Sequence, residues 1–471
     1  MTAPAISRAR AGSSVAALWL IELAAAFENA MIFSAVGKLI AVFHDPSVAG
    51  WLVTVFMLVG AGTAVIAGRL GDLYGRRRVL LILLAVATVG SVVSLLSDSL
   101  PLLVLGRALQ GFGAAALPLS LGLVREMFPE KRRPAVIGIV LSGSSAGVAA
   151  GLVLGGMIVD HLDWKGIFVA GAGLSTLAFL ATLAVLPKLP PQPRPSSVIP
   201  VDWIGGLLFL PGVGGLLLVI SNGKAWGWAS ATSVLVALGA VVLLTLWVLK
   251  SLRSANPLID VRLFKNPVIA LTNAVTALAS MSALQIMLVF SVLLQTPAWT
   301  GVGLGASATV AGLTMLPSKL VAFVGGPLSG WLTGRTSGRV TMLIGGGVAT
   351  LGWGLTLVVP LSLVAVGFIM CLIALGAMML FTAGPSLLIE ATPDDRTSEA
   401  AGVMSVVRQT FIGVGSQLVG VLLAVRTIEA GAGGVHYPTT ASFHLAIWVI
   451  IGLGLAGMAA AFMLPRRSVR T

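Results

Sequence analysis

Charged residues are scarce in this chain. Asp, Glu, Lys and Arg make up only 10% of its 471 residues, whereas hydrophobic residues make up 57%. An ordinary soluble domain carries about 25% charged residues. With a mean hydropathy of +1.03, a soluble protein would have too few polar side chains to cover its surface. The composition therefore predicts an all-α polytopic protein embedded in a lipid bilayer.

The side chains that build catalytic and metal centres are scarce too. A single cysteine, Cys371, excludes an internal disulfide. The four histidines are His44, His161, His436 and His444. They are scattered over segments expected at the outer face, so we predict no metal site. No nucleotide-binding glycine loop is present, and no cluster of His, Cys or carboxylates lies at one depth. We therefore expect neither an enzyme nor a cofactor.

Fourteen apolar segments are long enough to cross a bilayer, which takes about 20 helical residues. They lie at residues 14–41, 48–70, 78–97, 101–126, 134–159, 165–186, 203–221, 230–250, 268–295, 305–333, 340–360, 362–390, 398–425 and 441–464. The first is too long for a signal peptide, contains an acid and is followed by further spans.

The basic residues orient these spans. The net charge of +13 would suggest a nucleic-acid partner in a soluble protein. With the N-terminus inside, however, 22 of the 29 Lys and Arg fall on cytoplasmic segments and three outside. That bias is typical of cytoplasmic loops. We predict a cell-membrane protein with both termini cytoplasmic and no nucleic-acid partner.

Two polar segments divide the spans. The proline-rich "PKLPPQPRPSSVIPVD" follows span six, and "RSANPLIDVRLFKNP" precedes the last six spans. The sequence predicts a six-helix bundle in 1–190, two linker helices in 191–255 and a second six-helix bundle in 256–471. Two related bundles are a transporter architecture.

Three motifs carry a family resemblance. They are "GRLGDLYGRRR" (68–78), "GRALQGFGAAALP" (106–118) and "GIVLSGSSAGVAAGLVLGG" (138–156). They resemble the loop between helices two and three, the helix-four motif and the helix-five motif of the major facilitator superfamily. With fourteen spans, the chain resembles that superfamily's fourteen-helix drug:proton antiporters. The resemblance implies the major facilitator fold.

The first motif is the predicted cytoplasmic gate. Gly68, Asp72, Gly75, Arg76 and Arg78 fall on the family positions. An aspartate among arginines can make charge-assisted hydrogen bonds. The resemblance implies a latch that breaks when the transporter opens inward. The alternative is that these arginines only fix the topology.

The third motif provides a smooth helix face. It contains Gly143, Gly147, Gly151, Gly155 and Gly156. The first four recur every four residues, so another helix can approach closely. The resemblance implies a pivot contact between the halves, and ordinary helix packing is the alternative. Leu152 stands where the family usually has proline.

Two glutamates interrupt span one. Glu28 lies near mid-membrane, and Glu22 lies about 9 Å closer to the cytoplasm. The two side chains point about 120° apart on the helix. The resemblance places Glu28 on the family's acidic position in helix one and implies proton transfer assisted by Arg107 in span four. The alternatives are a structural, permanently protonated Glu28 and an Arg107 that extends to the outer surface.

Polar residues inside the spans are candidates for a substrate cavity. They are Glu22, Asn29, Gln285, Lys319 and Arg408. Intramembrane charges are costly unless they face a partner or a cavity. The second half has two such cations and no mid-span acid, which disfavours a dicationic substrate. A neutral, zwitterionic or anionic amphiphile remains compatible.

The sequence therefore predicts a monomeric, proton-coupled secondary transporter. It would export small amphiphilic molecules by alternating access, driven by the proton gradient. One alternative is a dedicated exporter, or a proton symporter, of one endogenous metabolite or lipid-like compound. A more distant one is a membrane protein that does not transport.

Overall fold

The computed structural model describes residues 8–129, 132–187, 202–254, 257, 260–391, 397–430 and 435–465. These residues form sixteen α-helices, short 3-10 turns and one β-hairpin. The helices are α1 (Arg8–Phe43), α2 (Val48–Tyr74), α3 (Arg76–Leu95), α4 (Leu100–Gly111), α5 (Ala116–Met127), α6 (Arg133–His161), α7 (Gly166–Val185), α8 (Trp203–Trp226), α9 (Ala231–Arg253), α10 (Pro267–Met281), α11 (Ile286–Gln295), α12 (Ala308–Arg335), α13 (Gly338–Val358), α14 (Leu363–Ala391), α15 (Thr397–Leu423) and α16 (Thr440–Phe462).

Helices occupy all fourteen predicted spans. Within the described residues, thirteen helical segments are long and apolar enough to cross a membrane. The tenth predicted span corresponds to α12, a helix of 28 residues whose described apolar stretch is Ala308–Ala322. The prediction of an all-α polytopic membrane protein is confirmed.

Two of the spans are interrupted, which the hydropathy pattern did not predict. In span four, a 3-10 stretch at Phe112–Ala115 separates α4 from α5. In span nine, a similar turn at Ala283–Gln285 separates α10 from α11. Gly111 precedes the first break and Gly113 lies inside it, and glycine is a poor helix former. Tight turns inside a helix often mark functional segments.

A β-hairpin lies between α15 and α16 and was also missed. Strands β1 (Thr427–Ala430) and β2 (Val435–Pro438) pair antiparallel, with Thr427 opposite Pro438. Each strand has only four residues, so an alternating pattern has too little length to stand out from a polar loop. Residues 431–434, between the strands, lie outside the described residues.

The chain forms two compact units. The first combines Met1–Ala35 with Val55–Trp203, and the second combines Val36–Thr54 with Ile204–Thr471. The end of α1 and the start of α2 therefore belong to the second unit. The bundle boundaries predicted at 190/191 and 255/256 fall outside the described residues and stay predictions.

In the first unit, the glycine face of α6 packs on α1. A Cβ atom at Gly143 would meet the carbonyl oxygen of Trp19, and one at Gly147 would meet that of Leu23. A Cβ at Gly151 would lie 3.0 Å from the carbonyl oxygen of Phe27. The absence of side chains on this face thus lets the two backbones touch.

The outer part of the same contact is hydrogen-bonded. The hydroxyl of Ser34 on α1 donates to the carbonyl oxygens of Gly151 (2.9 Å) and Leu152 (3.0 Å) on α6. A Cβ atom at Gly155 would lie 3.2 Å from the Ser34 hydroxyl, and Gly156 is buried. These contacts are helix packing inside one unit, and the pivot role between the halves stays a prediction.

A second close crossing joins α3 and α4. A Cβ atom at Gly90 would lie 2.7 Å from the carbonyl oxygen of Gly106. One at Gly106 would lie 2.8 Å from the carbonyl oxygen of Gly90. The two glycines therefore allow a backbone contact that places Ser91 on α3 beside Gln110 on α4.

We expect Gly147→Val to destabilise the first unit by about 1–3 kcal/mol, because its side chain would collide with the α1 backbone. Gly138→Val on the same helix is the matched control, since nothing lies within 4 Å of a Cβ atom there. Thermal unfolding in detergent measures both. Equal unfolding temperatures of the two variants would contradict the close α1–α6 contact.

Candidate functional site

Glu28 is a buried carboxylic acid at the centre of the first unit. Its side chain on α1 is 1% exposed. Its Oε1 accepts hydrogen bonds from the hydroxyls of Ser91 on α3 (2.9 Å) and Ser175 on α7 (2.7 Å). Its Oε2 has no hydrogen-bond partner among the described residues. The two carboxyl oxygens therefore have different surroundings.

Arg107 on α4 is fully buried beside this acid. Its Nη1 donates to the main-chain carbonyl oxygen of Glu28 (2.8 Å) and to Oε1 of Gln110 (2.9 Å). The guanidinium also lies over the ring of Phe56 on α2, 4.4 Å from its centroid. A cation over an aromatic face is attracted by the ring quadrupole. Arg107 thus has partners inside the unit and does not extend to the surface.

These side chains form one hydrogen-bonded chain. Arg107 donates to Oε1 of Gln110, Nε2 of Gln110 donates to the hydroxyl of Ser91 (2.8 Å), and that hydroxyl donates to Oε1 of Glu28. Gln110 is fully buried, as is Ser91. The close crossing of α3 and α4 brings the middle members into contact. The predicted pair Glu28 and Arg107 therefore belongs to one polar network that spans four helices.

The geometry indicates which oxygen of Glu28 carries the proton when the acid is neutral. Oε1 already accepts two hydroxyl hydrogens. Oε2 accepts none and faces the backbone of Gly113, where a Cβ atom would lie 3.5 Å away. In the protonated acid the proton therefore belongs on Oε2, at the 3-10 break in span four.

Glu22 forms a separate site. It is 4% exposed, and its Oε2 accepts a long hydrogen bond of 3.4 Å from the hydroxyl of Ser144 on α6. Its Oε1 has no partner among the described residues, and neither does Oδ1 of half-buried Asn29. Glu22 faces α6, whereas Glu28 faces α3 and α7. The two carboxylates thus occupy different faces of α1, as helix geometry predicts.

The predicted gate motif lies at the α2–α3 turn. Gly75 has φ of +93°, a conformation that favours glycine, and α3 begins at the next residue. Gly68 is half-buried, and Arg78 is exposed. The side chain of Asp72 lies outside the described residues, so its predicted bonds to arginines stay a prediction.

Arg76 fixes this turn to the end of α5. Its Nη1 donates to the carbonyl oxygen of Gly122 and to Oε1 of Glu126, both at 2.8 Å. The guanidinium lies so close to Gly122 that a Cβ atom there would be 2.5 Å from Nε. The ion pair is largely buried, at 21% and 18% exposure of the two side chains. It links two helices of the first unit.

Gln285 lies at the break in span nine. It is 1% exposed. Its Nε2 donates to the carbonyl oxygens of Ser280 (2.8 Å) and Ile412 (3.2 Å), and its Oε1 accepts from Ser416 (3.0 Å). These bonds tie the turn to α15. Its amide is occupied by bonds to α10 and to the interior of α15, and these bonds give no direct sign of a substrate role.

Two intramembrane cations of the second unit lack ionic partners in the described part of the chain. Lys319 on α12 is half-buried. Arg408 on α15 is half-buried as well, and its guanidinium lies 5.4 Å from the ring centroid of Phe381 on α14. Arg408 also lines a crevice inside this unit, and the lining of that crevice does not include Lys319.

Several residues of these sites escaped sequence reasoning. Ser91, Ser175 and Phe56 surround the candidate acid and its arginine, and Glu126 pairs with the gate arginine. Serine and phenylalanine each occur in several spans, so spacing alone does not single these residues out. Only Glu126, an acid at a span end near basic residues, carried a usable signal. No group of three metal-ligating side chains occurs within the described ranges.

Comparisons with known proteins identify relatives for most of the chain. The family model "Major Facilitator Superfamily" matches residues 18–205 and again 201–416. "Multidrug resistance protein Stp" of Mycobacterium tuberculosis is 32% identical over 381 residues, covering 79% of this chain and 68% of that protein. "Cephamycin export protein CmcT" of Amycolatopsis lactamdurans is 30% identical over 435 residues, covering 89% and 85%. "Tetracenomycin C resistance and export protein" of Streptomyces glaucescens is 26% identical over 381 residues, covering 80% and 69%.

Solved transporter structures share the fold. A peptide transporter POT in complex with sulfate superimposes with a TM-score of 0.67 at 15% identity, covering 97% of this chain and 96% of that one. A bacterial homologue of the human lysosomal transporter Spinster, inward-facing and unoccupied, gives 0.66 at 14% identity and covers 98% of both chains. At such identities the likeness concerns the fold alone.

We expect Ser175→Ala to raise the frequency of the C=O stretching band of protonated Glu28. Oε1 then loses one of its two hydrogen bonds, and a carbonyl with fewer donors stretches at higher frequency. Infrared difference spectra, with Glu28→Gln to assign the band, measure the shift. Ser142→Ala, at an exposed serine, is the control. An unchanged band in Ser175→Ala would contradict the described environment of the acid.

A double-mutant cycle tests the ion pair at the gate turn. Arg76→Gln and Glu126→Gln should each lower thermal stability, with a coupling free energy of about 1 kcal/mol because the pair is only partly exposed. Additive effects of the two substitutions would show that the ion pair is not formed.

Proposed function

Because this chain belongs to the major facilitator superfamily, as its motifs predicted, we propose that it is a proton-coupled exporter of small amphiphilic molecules. The family makes it a multi-pass membrane transporter for small molecules, and points to transport rather than enzymatic catalysis. The names of its relatives, which include export proteins for cephamycin and tetracenomycin C, support the export direction. Proton coupling is the part that rests on the candidate site.

The environment of Glu28 is the observation that supports proton coupling. It is a buried acid whose Oε1 accepts two serine hydrogen bonds and whose Oε2 has no partner among the described residues. A carboxyl group in such a place can exist in two states. Neutral, it fits its low-dielectric surroundings; charged, it needs compensation from water or a cation.

Gain or loss of the proton on Glu28 would change the contacts among the four helices that surround this acid. Ser91 on α3 and Ser175 on α7 contact the acid on α1, and Arg107 on α4 contacts its main chain. Loss of the proton places a negative charge among four packed helices and changes the balance of these contacts. A protonation event that is tolerated differently in two conformations shifts their populations. We propose that it drives alternating access, with Arg107 stabilising the charged state.

Arg76 and its neighbours supply the cytoplasmic gate in this proposal. The Arg76–Glu126 ion pair and the Gly75 turn hold the α2–α3 connection against α5. A fixed connection moves as one piece with the helices it joins. Asp72 and Arg78 would make the contacts that break on inward opening. The expected location is the cell membrane, with both termini cytoplasmic and the protein acting as a monomer.

A second candidate function is export of one dedicated compound. Two relatives carry the names of single products, cephamycin and tetracenomycin C, whereas another is named for multidrug resistance. The same coupling site serves either function. A substrate panel separates them: one transported compound supports the dedicated exporter, and several unrelated ones support multidrug export.

Proteoliposome transport with an imposed proton gradient tests the proposal. Wild type should accumulate cationic, neutral or anionic amphiphiles against their concentration gradient only when the proton gradient is present. Glu28→Gln should abolish gradient-driven accumulation, because the glutamine amide cannot gain and lose the exchanged proton. It should still permit substrate exchange down a concentration gradient.

Glu429→Gln is the matched control, because Glu429 is an exposed glutamate in the hairpin. It should transport as wild type does. Proton-driven accumulation retained by Glu28→Gln would exclude Glu28 as the coupling acid. Absence of gradient-dependent transport of any compound in wild type would exclude the proposed function itself.

A further inference from the structure

Arg408 lies in a membrane-embedded part of the chain that has no acid to neutralise it. The sequence contains no Asp or Glu between Asp260 and Glu390, which covers α10 to α13 and most of α14. On α15 itself the only acid is Glu399, nine residues before Arg408 and so about 13 Å away along the helix. An arginine at membrane depth normally pairs with a carboxylate or faces a cavity. None of the helices α10 to α13 offers Arg408 such a carboxylate.

The structure provides the second option. Arg408 lines a crevice enclosed by α10, α13, α14 and α15 within the second unit. Thr276 of α10 is the other polar side chain in the lining, and its hydroxyl donates to the carbonyl oxygen of Thr272. Met342 and Met404 contribute flexible apolar walls. The site thus joins one cation to an adaptable apolar surface.

The size of the crevice selects what can enter. Its enclosed space admits about one water-sized group. A carboxylate oxygen fits, whereas a whole amphiphile does not. The guanidinium lies 5.4 Å from the ring centroid of Phe381, and its planar fork of donors matches the geometry of a carboxylate. The apolar body of such a molecule would remain outside the crevice, against the methionines.

We infer that Arg408 binds the carboxylate group of an amphiphilic organic anion, and this inference rests on the proposed transport function for its biological meaning. Arg408 lies six residues after Gly402, the first residue of the apolar stretch of α15, which is about 9 Å along the helix. Lipid headgroups lie at the interface, outside this apolar stretch, so the position favours a transported anion over a bound lipid.

The test compares three probes that share a dansyl ring and differ in charge. N-dansylglycine carries a carboxylate, its amide is neutral, and N-(2-aminoethyl)dansylamide carries an ammonium group. Equilibrium binding to the detergent-solubilised full chain is followed by dansyl fluorescence. Wild type should bind the carboxylate about tenfold more tightly than the amide, as expected for a charge-assisted hydrogen bond. The ammonium probe should bind most weakly.

Arg408→Gln should abolish the preference for the carboxylate and leave affinity for the amide unchanged. Arg335→Gln is the matched control: Arg335 also lies over an aromatic ring, that of Trp331 at 4.2 Å, but it is exposed at the end of α12. It should keep the wild-type preference. Equal affinities of wild type for all three probes, or a preference for ammonium, would overturn the inference.

A second variant tests the same site in case Arg408→Gln does not fold. A Cβ atom at Gly384 would lie 3.4 Å from Met342 and 3.5 Å from Met404, so Gly384→Leu fills the crevice while the charge remains. It should also lose the carboxylate preference. Retention of that preference in this variant would overturn the assignment to the crevice, with thermal unfolding confirming that each variant is folded.

Bilayer discs distinguish a substrate from a lipid. The carboxylate preference should be the same in discs of phosphatidylcholine and in discs that contain phosphatidylglycerol. Its loss in the anionic discs would assign the site to a lipid headgroup and overturn the inference. These are binding measurements, so they can fail while gradient-driven transport is intact, and transport can fail in Glu28→Gln while the binding preference persists.

Discussion

The cost of a charge inside a bilayer is the constraint on which this structure depends. Glu28 satisfies it with two serine hydroxyls on one oxygen and none on the other, an arrangement suited to a neutral acid. Arg107 satisfies it with a carbonyl, an amide and an aromatic face. Arg408 belongs to a unit whose helices α10 to α13 contain no acid, and it lies beside the ring of Phe381 at the edge of a crevice. The three charged groups are thus accommodated in three different ways. Glu28 and Arg107 belong to the proposed coupling site, and Arg408 belongs to the proposed anion site.

Glycine determines where these polar groups meet. The crossing of Gly90 with Gly106 brings α3 and α4 into backbone contact and so joins Ser91 to Gln110. The glycine face of α6 packs on the helix that carries Glu28. Larger residues at these positions would separate the helices by a side-chain diameter and break the hydrogen-bonded chain. The small residues therefore let the helices pack closely enough for the buried polar groups to hydrogen-bond to one another. These bonds offset the cost of burying polar groups in a low-dielectric interior.

Sequence reasoning recovered the fold because each span carries its own hydropathy signal. It also found Glu28 and Arg107, because charges stand out in an apolar span. It did not find Ser91 or Ser175, since a serine inside a span has no periodicity that reports its partner. The breaks at Phe112–Ala115 and Ala283–Gln285 were missed because hydropathy does not distinguish a 3-10 turn from a helix. The short hairpin was missed for lack of length.

Proton release on substrate binding tests the central claim, that Glu28 is the proton carrier, most directly. The solubilised full chain, in weakly buffered solution at a pH where the acid is neutral, is mixed with a transported compound, and the pH change is recorded. The account predicts release of protons from wild type and from Glu429→Gln, and none from Glu28→Gln. Equal release from Glu28→Gln and wild type would contradict it.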